Sequence, residues 1–259
     1  MKRVLTAAAL VPIVCYVVLW ADYRVFLAVL ALAAILTWRE CREITLAETG
    51  GDLSWLSLLS QAAGLLLLLT AAGNRWLTVL PLSSAAVLSR RAPQLRHMPR
   101  VVVLALGVFY VFGAWWCAIP LRAASPHWLM YALLVSWTGD IGAYYVGRRW
   151  GRHKMAPHIS PKKSWEGAAA SVVSALLICG AYLAWFLRVP ILNAALLTAA
   201  ANIAGQLGDL AESAIKRGAG VKDSGAILPG HGGFFDRVDS ALFVLPAVYL
   251  YVGFLGDLG

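Results

Sequence analysis

Charge is scarce in this sequence. Asp, Glu, Lys and Arg make up 14% of 259 residues, whereas 60% are apolar. A soluble domain averages about 25% charged residues, and a disordered one is poorer still in apolar residues, so both classes are excluded. Cysteine is also sparse: Cys15, Cys41, Cys117 and Cys179 stand singly, with no C-x-x-C or metal-ligand spacing, and read as packing residues rather than as disulfide or zinc positions. The alternation of an outer-membrane barrel is missing, and strands are not expected. No polar stretch is longer than Arg148–Glu166 or Lys216–Asp239, which leaves no room for a separate soluble domain. No internal repeat is visible. The basic, apolar N-terminus lacks a small-x-small cleavage site after Trp20, so it reads as a retained helix rather than a removed signal.

What the chain does have is apolar runs: Val4–Trp20, Tyr23–Trp38, Leu53–Ala72, Gly73–Ser89, Val101–Leu121, Trp128–Val146, Gly167–Leu187, Ile191–Ile215 and Ser240–Leu258. A spanning helix needs roughly 17–25 residues. The pattern therefore predicts an all-α, polytopic membrane protein of about nine transmembrane helices, of which those at 23–38 and 73–89 are short or weakly apolar. Positive loops stay on the cytoplasmic side. With the N-terminus inside, all of the 22 Lys and Arg residues fall on inner segments except Arg24, Arg75, Arg122 and Arg188. The net charge of +9 then reflects topology and attraction to anionic membrane lipids, not nucleic acid, for which no motif is present.

Polar residues separate the two halves. Residues 1–122 read as a transmembrane scaffold that also offers a subunit contact for a homodimer. Residues 123–259 read as the region that carries the chemistry. Three clusters lie there. In the first, Asp140 sits in an apolar helix, where a carboxylate is expensive and marks a site. The basic loop that follows offers it a cation, and Ser160, Lys162 and Lys163 lie at the start of the next helix, whose N-terminus suits phosphate. In the second, Asp209, Glu212 and Lys216 share one helical face. Glu212 and Lys216 have the favourable i,i+4 order, which leaves Asp209 unexplained.

The third cluster is "SAIKRGAGVKDSGAILPGHGGFFDRVDS", residues 213–240. Its glycines permit positive φ and close backbone approach, so the Gly225–Gly233 segment reads as a loop whose amides line an anion site. Asp236 and Asp239, three residues apart, suit Mg²⁺, which takes oxygen ligands and shares them with substrate phosphates.

The filled positions Ser213, Ile215, Lys216, Arg217, Lys222, Asp223, Gly225, Leu228, Pro229, His231, Gly232, Gly233, Phe234, Asp236, Arg237, Val238 and Asp239 resemble the signature of the phosphatidate cytidylyltransferase (CDP-diacylglycerol synthase) family. Asp140–Gly167 is similar to the family's preceding region, so the resemblance is strong over the second half and extends to the first only in hydropathy. It implies cytidylyl transfer from CTP to phosphatidic acid, releasing pyrophosphate, at the cytoplasmic face of a bacterial inner membrane as a step in phospholipid biosynthesis. On this reading Asp209, Asp236 and Asp239 hold Mg²⁺, with Asp140 as a further candidate ligand, and the resemblance also implies a second, monovalent ion. Lys216, Arg217, Lys222 and Arg237 neutralise phosphates, and Asp223 comes with the signature. Ser160, Lys162 and Lys163 contact the lipid phosphate or CTP, and Gly232 and Gly233 line the anion loop. His231 either donates to phosphate or braces the loop.

Rival classes are disfavoured. The D-G-x-x-A-R pattern of CDP-alcohol phosphotransferases is absent, as are the P-loop and the kinase Gly-rich loop. A transporter would place its ionisable groups at mid-membrane rather than at one face. The nearest competitor is a cytidylyltransferase for another lipid phosphate, such as an ether-linked one.

Overall fold

A computed structural model of the chain describes residues 2–46, 54–70, 78–227 and 232–254. His231 and the Leu228–Pro229 pair lie outside the described residues, as do parts of the expected third, fourth and ninth helices.

Over its described residues, each apolar run is mainly helix. The elements are α1 (Lys2–Leu19), α2 (Tyr23–Leu46), α3 (Ser54–Thr70), α4 (Val79–Arg90), a 3₁₀ turn (Ala92–His97), α5 (Arg100–Trp116), α6 (Ala118–Ala124), α7 (Pro126–Trp150), β1 (Lys154–Ala156), β2 (Ser160–Ser164), α8 (Trp165–Ala175), a π-helical turn (Leu176–Gly180), α9 (Ala181–Phe186), α10 (Ile191–Gly218), α11 (Phe235–Val238) and α12 (Ala241–Phe254). Local chemistry sets several ends. Ser125 caps α7, its hydroxyl accepting from His127 N at 3.2 Å, with Pro126 in the first helical position. Ser164 caps α8 in the same way through Gly167 N, also at 3.2 Å. Pro99 and Pro190 immediately precede α5 and α10.

Among the described residues, three helical stretches are long and apolar enough to cross a membrane: Arg100–Ala124, Trp165–Phe186 and Ile191–Gly218. The first joins α5 to α6 and the second joins α8 to α9 through the π-helical turn. At about 1.5 Å per residue, a helix needs roughly 20 residues to cover a hydrocarbon core of about 30 Å. The 12 residues of α4 fall short of that, and α2 continues past the expected Trp38 into the polar segment Arg39–Leu46. The chain is a helical integral membrane protein, and these three spans are the crossings its described helices support by length and composition.

One exception to the all-helical expectation is small. β1 and β2 pair antiparallel, with an irregular register between Lys154–Ser164 and Ala156–Ser160. Ser160, Lys162 and Lys163 therefore lie on a strand before α8 and not in its first turn. The pair is a polar hairpin, which the apolar runs could not reveal.

α10 runs through the middle of the assembly and packs against α4, α7, α8 and α12. Its glycines make this possible: a Cβ at Gly208 would lie 2.8 Å from the Asp239 carbonyl oxygen, and one at Gly205 2.9 Å from Val244 Cγ2. The helix thus approaches the start of α12 at backbone distance. Aromatic contacts tie the first half to the second, with Tyr110 of α5 in edge contact with Phe235 at 6.0 Å and with Phe243 at 6.1 Å between ring centroids. The free cysteines Cys41, Cys117 and Cys179 are buried in this core and Cys15 is half-buried.

Candidate active site

The site forms where the end of α10, the β-hairpin, residues 221–227 and 232–233 and the start of α12 converge. Asp209, Glu212 and Asp239 each offer a carboxylate oxygen within 4.8 Å of the others. The i,i+3 spacing puts Asp209 and Glu212 on one face of α10, and the glycine-mediated approach of α12 brings Asp239 against it. Three carboxylates so close repel one another unless cations intervene. Two lysines stand beside them. Lys163 Nζ lies 2.5 Å from Asp209 Oδ2, carried there by the hairpin. Lys216 Nζ lies 2.6 Å from both Glu212 Oε2 and Asp236 Oδ1.

The expected grouping of acids differs from the one observed. The family resemblance groups Asp236 with Asp209 and Asp239; among the described residues it is Glu212 whose carboxylate lies with theirs. Asp236 stands beside the cluster, sharing Lys216 with Glu212. Besides Lys216, its carboxylate accepts from Ser224 N at 3.0 Å and Gly233 N at 3.0 Å. Burial pushes its pKa up, but the Lys216 ammonium and the Ser224 amide outweigh that and hold it at about 2. The physical reason is competition by donors: Asp239 keeps helical backbone angles, φ −51° and ψ −49°, so the i,i+3 relation holds, but the Lys216 ammonium and the Ser224 and Gly233 amides engage the Asp236 carboxylate.

Glu212, read from its spacing as a partner of Lys216, is both that partner and a member of the acid cluster. It is fully buried, and its Oε1 accepts no hydrogen bond among the described residues. A buried carboxylate oxygen without a donor is costly. An all-oxygen set with one unfilled acceptor fits a hard divalent cation such as Mg²⁺, which Asp209, Glu212 and Asp239 would hold.

The remaining expected residues fall around this centre. Asp140 is exposed on α7 and makes no ion pair among the described residues, the cation expected for it being engaged by Asp209. It lines a small polar cavity with Ser136, Ser171, Asn202, Gln206 and Ser240. Lys222, Asp223, Arg237 and Lys162 are exposed, and Ser160 is half-buried in the hairpin. Arg217 donates to Val221 O at 2.9 Å and to Ile159 O at 3.4 Å, linking the end of α10 to the hairpin turn. Gly232 has φ +83°, a left-handed conformation that glycine permits, whereas Gly225 and Gly233 do not adopt it. The Gly233 amide, expected to face an anion, is occupied by Asp236.

Glu40 escaped the sequence reading altogether. It lies on α2, is 1% exposed, and accepts from Ser224 Oγ at 2.7 Å, Phe234 N at 3.0 Å and Phe235 N at 2.8 Å. The sequence does carry a signal for it. "WRECREITL" places charged residues directly after an apolar run, which reads as a helix end on the cytoplasmic side and hides which of them turns inward.

The family model described as Cytidylyltransferase family matches residues 1–255, and the chain belongs to that family. It is similar to the phosphatidate cytidylyltransferase of Bacillus subtilis (strain 168), 49% identical over 123 residues that cover 47% of this chain and 46% of that protein. The protein of the same name from Staphylococcus haemolyticus (strain JCSC1435) is 43% identical over 147 residues, covering 56% of this chain and 54% of the relative. The one from Staphylococcus aureus (strain COL) is 46% identical over 128 residues, 48% of each. The chain thus spans about half the length of the curated relatives it matches.

Proposed function

We propose that this protein transfers the cytidylyl group of CTP to phosphatidic acid, forming CDP-diacylglycerol and pyrophosphate, at the cytoplasmic face of a bacterial inner membrane. The observation that carries this reading is the convergence of Asp209, Glu212 and Asp239 with Lys163 and Lys216 at one point of a cytidylyltransferase-family chain. The names of the similar proteins supply the substrates. The charge pattern supplies the side, and its nine-crossing topology belongs to the same proposal.

A phosphate oxygen of the lipid attacks the α-phosphorus of CTP. The bond from that phosphorus to the bridging oxygen breaks, and the electron pair leaves with pyrophosphate. The lipid phosphate is already ionised near neutral pH, so no protein nucleophile or strong base is required. Catalysis rests on positioning and charge stabilisation. Mg²⁺ at the three carboxylates would neutralise the nucleotide phosphates. Lys216 is oriented by two carboxylates and aims a positive charge at the same point. Lys163 brings a second, and the exposed Lys222, Arg217 and Arg237 draw anions to the headgroup plane. The anionic lipids of the membrane surface are held by the same basic rim.

Purified protein in detergent with labelled CTP and Mg²⁺, given phosphatidic acid, an ether-linked analogue or no lipid, tests the reading. Incorporation of CMP that depends on phosphatidic acid, with pyrophosphate released in equal amount, supports it. Preference for the analogue would move the assignment to another lipid phosphate, and absence of nucleotide turnover would end it.

A further inference from the structure

We propose that Glu40, from the N-terminal half of the chain, is a positioning residue for the site: it anchors Ser224, Phe234 and Phe235 and, through them, fixes Lys216 against the acid cluster. The inference rests on the proposed nucleotidyl transfer for its kinetic consequence, though not for its structural one.

Each link is a short contact. Glu40 Oε2 takes the Ser224 hydroxyl proton at 2.7 Å and the Phe235 amide at 2.8 Å, while Oε1 takes the Phe234 amide at 3.0 Å. Ser224 then works on both sides: its amide donates to Asp236 Oδ2 at 3.0 Å, and its Oγ accepts from Asp236 N at 3.3 Å. Asp236 holds Lys216 at 2.6 Å, and Lys216 meets Glu212 at 2.6 Å. The chain of contacts runs without interruption from α2 to the three carboxylates.

Two glycines are fitted to this anchor. A Cβ at Gly225 would lie 2.7 Å from Glu40 Oε1, and one at Gly233 would collide with Glu40 Oε2 and the Ser224 hydroxyl. Part of the glycine content of the loop therefore makes room for a carboxylate arriving from another helix, separately from any approach to an anion. A carboxylate is the group the place demands. Three donors converge on two oxygens, and no donor of its own gets in the way. Each contact couples residues more than 180 positions apart, so the acceptors for Ser224, Phe234 and Phe235 come from the N-terminal half.

Glu40→Gln tests the idea with a near-isosteric change. Whichever way the amide turns, its NH₂ faces the N–H of Phe234 or of Phe235, and one loop amide loses its acceptor. Hydrogen exchange on the purified protein should quicken about tenfold at residues 232–236, with α5, α7 and α10 unchanged. In the same preparation kcat/KM for CTP should fall about tenfold while KM for phosphatidic acid holds. Ser224→Ala should produce a smaller loss, and the double variant should lose less than the two single losses combined, because both act through one link. Unchanged exchange at 232–236 would overturn the proposal, as would exchange quickened evenly through the protein or equal losses for both substrates. If the wild type turns over no CTP, the proposed function fails, and exchange at 232–236 still decides whether Glu40 anchors the loop.

Discussion

Lys163 Nζ sits 2.5 Å from Asp209 Oδ2, a contact between the β-hairpin and the middle helix α10 that places a lysine at the edge of three clustered carboxylates. Lys163 is half-buried and its neighbour Lys162 is exposed, so two adjacent lysines that look alike in the sequence occupy different positions. Removing Lys163 deprives the site of a preorganised positive charge. Lys163→Met should lower kcat/KM by about 10²-fold, the usual scale for one electrostatic group at a reacting phosphate. Lys162→Ala should raise KM for the anionic substrates several-fold and leave kcat closer to normal. Radiolabelled CMP incorporation measures both, and equal effects would show that the hairpin acts only as a basic surface.

The carboxylates separate by their response to metal. Asp209→Asn, Glu212→Gln and Asp239→Asn should each reduce turnover by about 10²- to 10³-fold and raise the Mg²⁺ concentration needed for half-maximal rate. Asp236→Asn should also lose activity, because Lys216 loses a partner, but its Mg²⁺ dependence should match the wild type. Titrating Mg²⁺ and Mn²⁺ against each variant reads the difference. A shifted metal requirement in Asp236→Asn, with none in Glu212→Gln, would return the ligand set to the grouping that the family resemblance implies.

Two glycines with positive φ serve as a matched pair. Gly220 has φ +70° and open space where a Cβ would go, whereas Gly232 has φ +83° and a Cβ would meet Asp236 Oδ2 at 2.9 Å. Gly220→Ala should cost about 1–2 kcal/mol in thermal stability and little activity, since only backbone strain is added. Gly232→Ala should cost activity as well, by displacing the carboxylate that holds Lys216. Thermal melts alongside turnover distinguish the two.

Sidedness is accessible to labelling. Three of the four native cysteines are buried, so a Cys15→Ser background leaves little reactivity of its own. A cysteine at Arg188 should react with an impermeant maleimide from outside intact cells, and one at Lys163 only after the membrane is opened. The opposite pattern would place the site on the outer face.

Much of the molecule is legible in the order of its residues. The apolar runs mark where helices form, because a backbone in hydrocarbon has to satisfy its own hydrogen bonds and a helix does so locally. The i,i+3 and i+7 spacing of Asp209, Glu212 and Lys216 sets them on one face of α10, and that held. The loop glycines permit a left-handed backbone, and of the described ones from Gly225 to Gly233, Gly232 adopts it. All of these depend on neighbours in the chain. What the tertiary structure alone decided depends on distant partners. Asp236 is engaged by Lys216, 20 residues earlier, and by the Ser224 and Gly233 amides, so it is Glu212 that groups with Asp209 and Asp239. Lys163 rather than Lys162 meets Asp209 because a two-stranded hairpin, too short and polar to register in hydropathy, fixes which of the two points inward. Glu40 reaches a loop 184 residues ahead only because α2 packs against it, and no spacing rule acts over such a separation.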